Sequence, residues 1–86
     1  MTPSQSRGAR GLLGWSQTRL AEAADLSLPT VKRYETGTGA RVSDDAASKM
    51  RNALEAAGIE FIAANGSGPG VRLASRQPDV VGRPVD

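Results

Sequence analysis

At 86 residues, with 11 Lys and Arg against 9 Asp and Glu, the chain has room for one small domain with a marginal core. It contains no cysteine and no histidine, which excludes a disulfide framework, a thiolate or imidazole metal site, and the usual general base at neutral pH. Basic charge gathers in the first half: six basic and three acidic residues through Arg41, five basic and six acidic from Val42 onward, so the first half is the one suited to a polyanion.

No apolar run approaches the roughly 20 residues that span a bilayer. The opening stretch, MTPSQSRGARG, lacks the apolar segment of a signal peptide. A soluble chain in the cytoplasm, with no membrane partner, is expected.

Residues 5 to 13, QSRGARGLL, read as a short helix with Ala9, Leu12 and Leu13 inward. Gly8 and Gly11 each weaken it by about 1 kcal/mol relative to Ala. Gly14 is placed to end it as a left-handed cap. Ser16 then caps a second helix, QTRLAEAA, over 17 to 24. Trp15 precedes that cap and Leu20 is the fourth helical position, the spacing of a hydrophobic staple. The staple accounts for the lone Trp better than a binding hot spot does.

A tight connection, DLS, leads to LPTVKRYET over 28 to 36. Val31 and Tyr34 fall three apart, on one helical face. Pro29 lies in the first turn, where a missing N–H costs little. With Ser27 as the cap, Pro29 has no N–H to offer, so the Ser27 hydroxyl must turn to Thr30. The restriction on the residue before proline allows the start to slip to Leu28. TGTGA at 36 to 40 ends this helix.

Ser43, followed by Asp44 and Asp45, caps a longer helix to about Ala57, with Ala47, Met50, Leu54 and Ala57 as its apolar stripe. The two acids complement the positive helix N-terminus. As adjacent residues they point apart, which argues against a paired-carboxylate site. IEFI (59 to 62) and VRL (71 to 73) read as short strands around AANGSGPG. That glycine-rich stretch lacks the Gly-Lys-Ser/Thr ending of a phosphate loop and is read as a hairpin loop. From Ala74 onward the chain is polar, with two prolines and no period, the composition of a disordered tail.

The pattern is mainly α: a bundle of about four helices over 1 to 58, a short β-hairpin over 59 to 73, and a tail over 74 to 86. Its informative unit is the helix pair 17 to 24 and 28 to 36. Leu20, Ala21, Ala24, Leu26, Val31 and Tyr34 form its apolar side, the arrangement of a helix-turn-helix whose second helix enters the DNA major groove.

The segment WSQTRLAEAADLSLPTVKRYETG resembles the helix-turn-helix of the Cro/repressor-type (Xre) family of DNA-binding transcriptional regulators. The matching positions are Ser16-Gln17, Leu20-Ala21, Ser27, Val31, Tyr34, Glu35 and Gly37. The resemblance covers residues 5 to 58 and implies a phage-repressor-like fold. It also implies roles for individual residues. Ser16 and Gln17 would bind a DNA phosphate, a role that also suits a helix N-terminus. Ser27, Leu28, Pro29, Thr30 and Arg33 would read bases, with Lys32 beside them and Arg41 in the following loop on the phosphate backbone. Arg10 and Glu35 would form an ion pair bracing the motif. Where the family usually carries Gly in the turn, this chain has Asp25, which is expected to be left-handed.

The function expected is sequence-specific binding of double-stranded DNA as a transcriptional repressor. The chain would act as a homodimer on a palindromic site, with the hairpin at 59 to 73 as the pairing surface. A second reading is a protein-interaction module, an antitoxin or adaptor on the same fold, with DNA binding secondary. Neither reading calls for a cofactor or metal. An enzyme is disfavoured, because no set of residues with catalytic spacing can be named.

Overall fold

A computed structural model describes residues 1–38, 42–63, 66 and 68–74. Arg41 and residues 75–86 of the expected tail therefore lie outside the described residues.

The first helix, α1, runs Pro3–Leu13 and begins two residues earlier than its apolar spacing predicts. The reason is a capping box. The Thr2 side chain accepts from the Gln5 amide (3.1 Å), while Gln5 Oε1 accepts from the Thr2 amide (2.8 Å). Pro3, whose missing N–H would be unpaired there anyway, takes a first-turn position. Gly14 ends the helix with φ 71°, and its N–H returns to Arg10 and Gly11 carbonyls.

The inward face of α1 differs from the expected one. Ala9 is fully buried and Leu13 packs against the core, but Leu12 is 46% exposed. Gln5 and Ser6 are buried in its stead. A search for apolar positions passes over both, because what they supply inside is hydrogen bonds.

Helix α2 is Gln17–Ala24 and α3 is Leu28–Arg33. The α-helix of α3 stops short of residue 36, and the chain continues as a π-helical turn over Tyr34–Thr38. The wider turn carries two consecutive side chains inward: Tyr34 and Glu35 are both buried. Helix α4, Asp44–Ala56, is capped by Ser43, whose hydroxyl accepts from the Ala46 amide at 3.1 Å. Its buried stripe is Ala46, Met50 and Leu54, with Ala47 and Ala57 only half-buried. The stripe is thus a strict i, i+4, i+8 row, which selects Ala46 over its neighbour.

Strands β1 (Ile59–Ile62) and β2 (Gly70–Leu73) pair antiparallel, with Ile59 opposite Leu73 and Glu60 opposite Arg72. A cross-strand ion pair joins Arg72 Nε to Glu60 Oε1 at 2.7 Å on the exposed side. An isolated two-stranded hairpin is marginal, and here the helices hold it. The buried Gln5 amide donates to the Gly70 carbonyl (2.8 Å) and to the Ile62 carbonyl (3.3 Å), straddling the ladder. Arg51 of α4 lies 4.8 Å over the Phe61 ring. Ile59, 3% exposed, belongs to the central core with Ala9, Leu20, Ala21, Ala24, Val31, Tyr34, Met50 and Leu54.

The two α1 glycines sit in different surroundings. A Cβ at Gly8 would lie 3.3 Å from Val71 Cγ2, so a bare backbone lets β2 come close. A Cβ at Gly11 would meet nothing within 4 Å. Gly11→Ala is therefore expected to stabilise the fold by about 0.5–1 kcal/mol, through helix propensity alone. Thermal unfolding of the variant checks this, with a higher midpoint as the expected outcome.

Candidate nucleic-acid interface

The turn between α2 and α3 fixes how the second helix is presented. Asp25 adopts φ 58°, ψ 48°, the left-handed conformation that a short polar side chain tolerates. The amide of the next residue, Leu26, returns to the Ala21 carbonyl at 2.9 Å, and Leu26 packs against the core beneath the turn. Ser27 then caps α3 through Thr30, whose amide reaches the Ser27 hydroxyl at 3.3 Å. The two hydroxyls also meet at 2.8 Å.

The result is a two-sided helix. Val31 is fully buried and Tyr34 is 5% exposed, while Ser27, Pro29, Lys32 and Arg33 are exposed and Leu28 and Thr30 are half-buried. The outer side carries two cations, two hydroxyls and two apolar groups. This mixture suits base edges and phosphates: guanidinium for guanine O6 and N7, hydroxyls for either kind of edge, apolar atoms for thymine methyls.

Beside it lies the N-terminus of α2. The Ser16 hydroxyl accepts from the Arg19 amide at 3.0 Å, and the Ser16 carbonyl accepts from the Leu20 amide at 3.1 Å. The Gln17 and Thr18 amides, ahead of these, have no carbonyl one turn back to bond, as at any helix start. Arg19 lies 4.8 Å over the Trp15 ring, so Trp15 holds a cation on this rim as well as packing against the core.

Beneath both helices sits a buried carboxylate. The Glu35 side chain is 1% exposed. Arg10 Nη2 lies 2.8 Å from Glu35 Oε1, and Arg10 Nε lies 3.0 Å from each oxygen. Ser6 Oγ donates to Oε2, and Gln17 Nε2 donates to Oε1 at 3.1 Å. Arg7 donates to the Glu35 carbonyl, and Arg10 Nη1 to the Trp15 carbonyl at 3.1 Å. One side chain thus joins α1, the start of α2 and the turn that ends α3. Burial pushes the Glu35 carboxyl up, but hydrogen bonds from Arg10, Ser6 and Gln17, with the Arg10 charge, outweigh it and hold the group below its ordinary value. The Tyr34 hydroxyl is pushed up by burial first and by the Glu35 charge second. It donates to the Met1 carbonyl at 2.8 Å.

The structure brings Ser16, Gln17, Ser27, Leu28, Pro29, Thr30, Lys32 and Arg33 onto the α2–α3 unit, with Arg10 and Glu35 behind it. Ser6 and Arg7 belong to the network around Glu35, and sequence reasoning missed them. Their only signal is helical spacing, since Ser6 lies one turn before Arg10 and Arg7 three residues before it. Among the described residues, no group of three or more Asp or Glu could hold a metal ion, and no helix is long and apolar enough to cross a membrane.

Residues 7–60, from α1 into β1, match a protein-family model described as helix-turn-helix. No curated protein matches the chain.

Proposed function

Because the chain belongs to the Xre-type helix-turn-helix family of DNA-binding transcriptional regulators, we propose that it binds duplex DNA sequence-specifically with α3 in the major groove and acts as a repressor. The observation that carries this reading is the outer side of α3. Lys32 and Arg33 are exposed three and four residues after Pro29, one turn on, where the opposite side is locked by Val31 and Tyr34. Arg33 reads a guanine through its fork of donors. The Ser27 and Thr30 hydroxyls reach neighbouring base edges, and Leu28 and Pro29 pack on thymine methyls.

Backbone contacts set the register. Ser16 and Gln17 hold one phosphate at the positive end of α2. Lys32 and Arg41 add cations along the strand. A single module of this size buries a modest DNA surface, so two copies on a palindrome, with half-sites about one helical turn apart, supply the remainder. The hairpin over 59–73 is the surface assigned to that pairing, since its strands retain outer edges. Repression follows from occupancy of promoter DNA.

Selection of sites from random duplex DNA tests the reading. The expected outcome is a two-fold symmetric consensus that Arg33→Ala relaxes at one position per half-site, by about 1–3 kcal/mol of discrimination. An asymmetric or absent consensus would remove the dimeric, sequence-specific part of the reading.

A further inference from the structure

Gln17 takes part in two environments at once. Its backbone N–H stands in the first turn of α2, where it has no intrahelical acceptor, while its side-chain Nε2 donates to Glu35 Oε1 at 3.1 Å. A carboxylate is acceptor-only, so Glu35 decides which end of the Gln17 amide faces inward. The nitrogen turns toward Glu35. One of its two N–H groups is consumed there, and the second leaves the same nitrogen at a wide angle. That second N–H and the adjacent backbone amides of Gln17 and Thr18 make a set of donors at one helix end.

From this arrangement we propose that Glu35 is a positioning residue for DNA binding: it aims the Gln17 amide at a backbone phosphate and so ties the phosphate grip on α2 to the end of the reading helix. The inference rests on the DNA-binding reading above and deepens it. Arg10 has a part in the same device. An unpaired carboxylate directly behind Gln17 would repel a phosphate, and the guanidinium at 2.8 Å cancels that charge. Ser6 donates to Glu35 Oε2, and Gln17 shares Oε1 with the Arg10 guanidinium. Because Glu35 sits in the turn that continues α3, a shift of the reading helix would swing the Gln17 amide off its phosphate.

The test is a double-mutant cycle on affinity for a fixed duplex, taken from the selected pool, with the full chain. Gln17→Ala is expected to weaken binding about tenfold in the native background, as loss of a charge-assisted hydrogen bond does. The same substitution is made in a background with Arg10→Met and Glu35→Met together, which removes the buried charges as a pair so that neither is left alone. Circular dichroism confirms that this background is folded at the temperature of the assay. There, Gln17→Ala is expected to cost less than twofold. An undiminished tenfold effect in the folded double variant would overturn the proposal, because Gln17 would then need no aiming. No effect of Gln17→Ala in the native background would overturn it as well. Absence of any duplex binding by the native chain is a different result, and it would take down the DNA reading itself.

Discussion

Glu35→Ala is expected to destabilise the fold by about 3–5 kcal/mol, the usual consequence of leaving one half of a buried ion pair alone. A chain of this length has a total stability of about 4–13 kcal/mol, so the variant loses a large share of it. Alanine would strand the Arg10 guanidinium, whose side chain is 18% exposed, and would remove the acceptor for Ser6 and Gln17. Replacing both partners with Met is expected to cost far less, because the desolvated charges leave together. Urea unfolding of the two variants separates these outcomes. The same carboxylate predicts an acid limb. Its folded value lies below the ordinary 4.5. Its contribution is therefore full above 4.5 and is lost as pH falls through the lower folded value, because there the native state must take up the proton. Urea midpoints should fall below pH 4.5 for the native chain, and less steeply for the paired Met variant.

Leu20→Ala is the second large effect, at about 2–5 kcal/mol. Leu20 of α2 is fully buried in the core cluster that also holds Val31 of α3 and Tyr34. The cost sums lost transfer energy and a cavity that close-packed neighbours fill only in part. DNA affinity should then fall through the folded fraction and not through the interface. Cooling toward the temperature of maximum stability, or adding an excluded osmolyte, should restore binding by the Leu20 variant. The same treatment should leave the altered base preference of the Arg33 variant unchanged. If restored folding does not bring back affinity for the Leu20 variant, this residue has a role in DNA contact beyond packing.

Much of this fold can be read from residue types at fixed offsets. Ser16, Ser27 and Ser43 each stand at the residue before a helix begins, ahead of its apolar period, and each caps that helix. Asp25 and Gly14 both occupy left-handed positions at helix ends. The Ser27–Pro29–Thr30 cap follows from one fact, that proline has no N–H to give. What escaped the reading is polar and long-range. The capping box of Thr2 with Gln5 lengthens α1, and Gln5 then reaches strands 57 and 65 residues away. No periodicity argument marks a glutamine as a buried latch. Leu12 misled for the converse reason, since a leucine on a helix this small can remain at the surface. The π turn over Tyr34–Thr38 was equally hidden, because its cause is a tertiary one: Glu35 is drawn inward by donors from α1 and α2.

The site divides in the same way. The outer side of α3 is legible because helical spacing separates Val31 and Tyr34 from Ser27, Pro29, Lys32 and Arg33. The support beneath it depends on which donors surround one carboxylate, and Ser6, Arg7 and Gln17 converge there only once the helices pack. The exposed residues of α3 can thus be named from sequence, while those that hold the helix in place need the fold.

If α3 and the start of α2 form a DNA-binding surface, a single titration will show it. Binding of the full chain to a labelled duplex from the selected pool is followed by fluorescence anisotropy across a series of salt concentrations. The expected result is binding whose log affinity falls linearly with log salt, with a slope of about −0.9 for each phosphate neutralised, and weaker binding to a scrambled duplex. Absence of binding to either duplex at the lowest salt would contradict it.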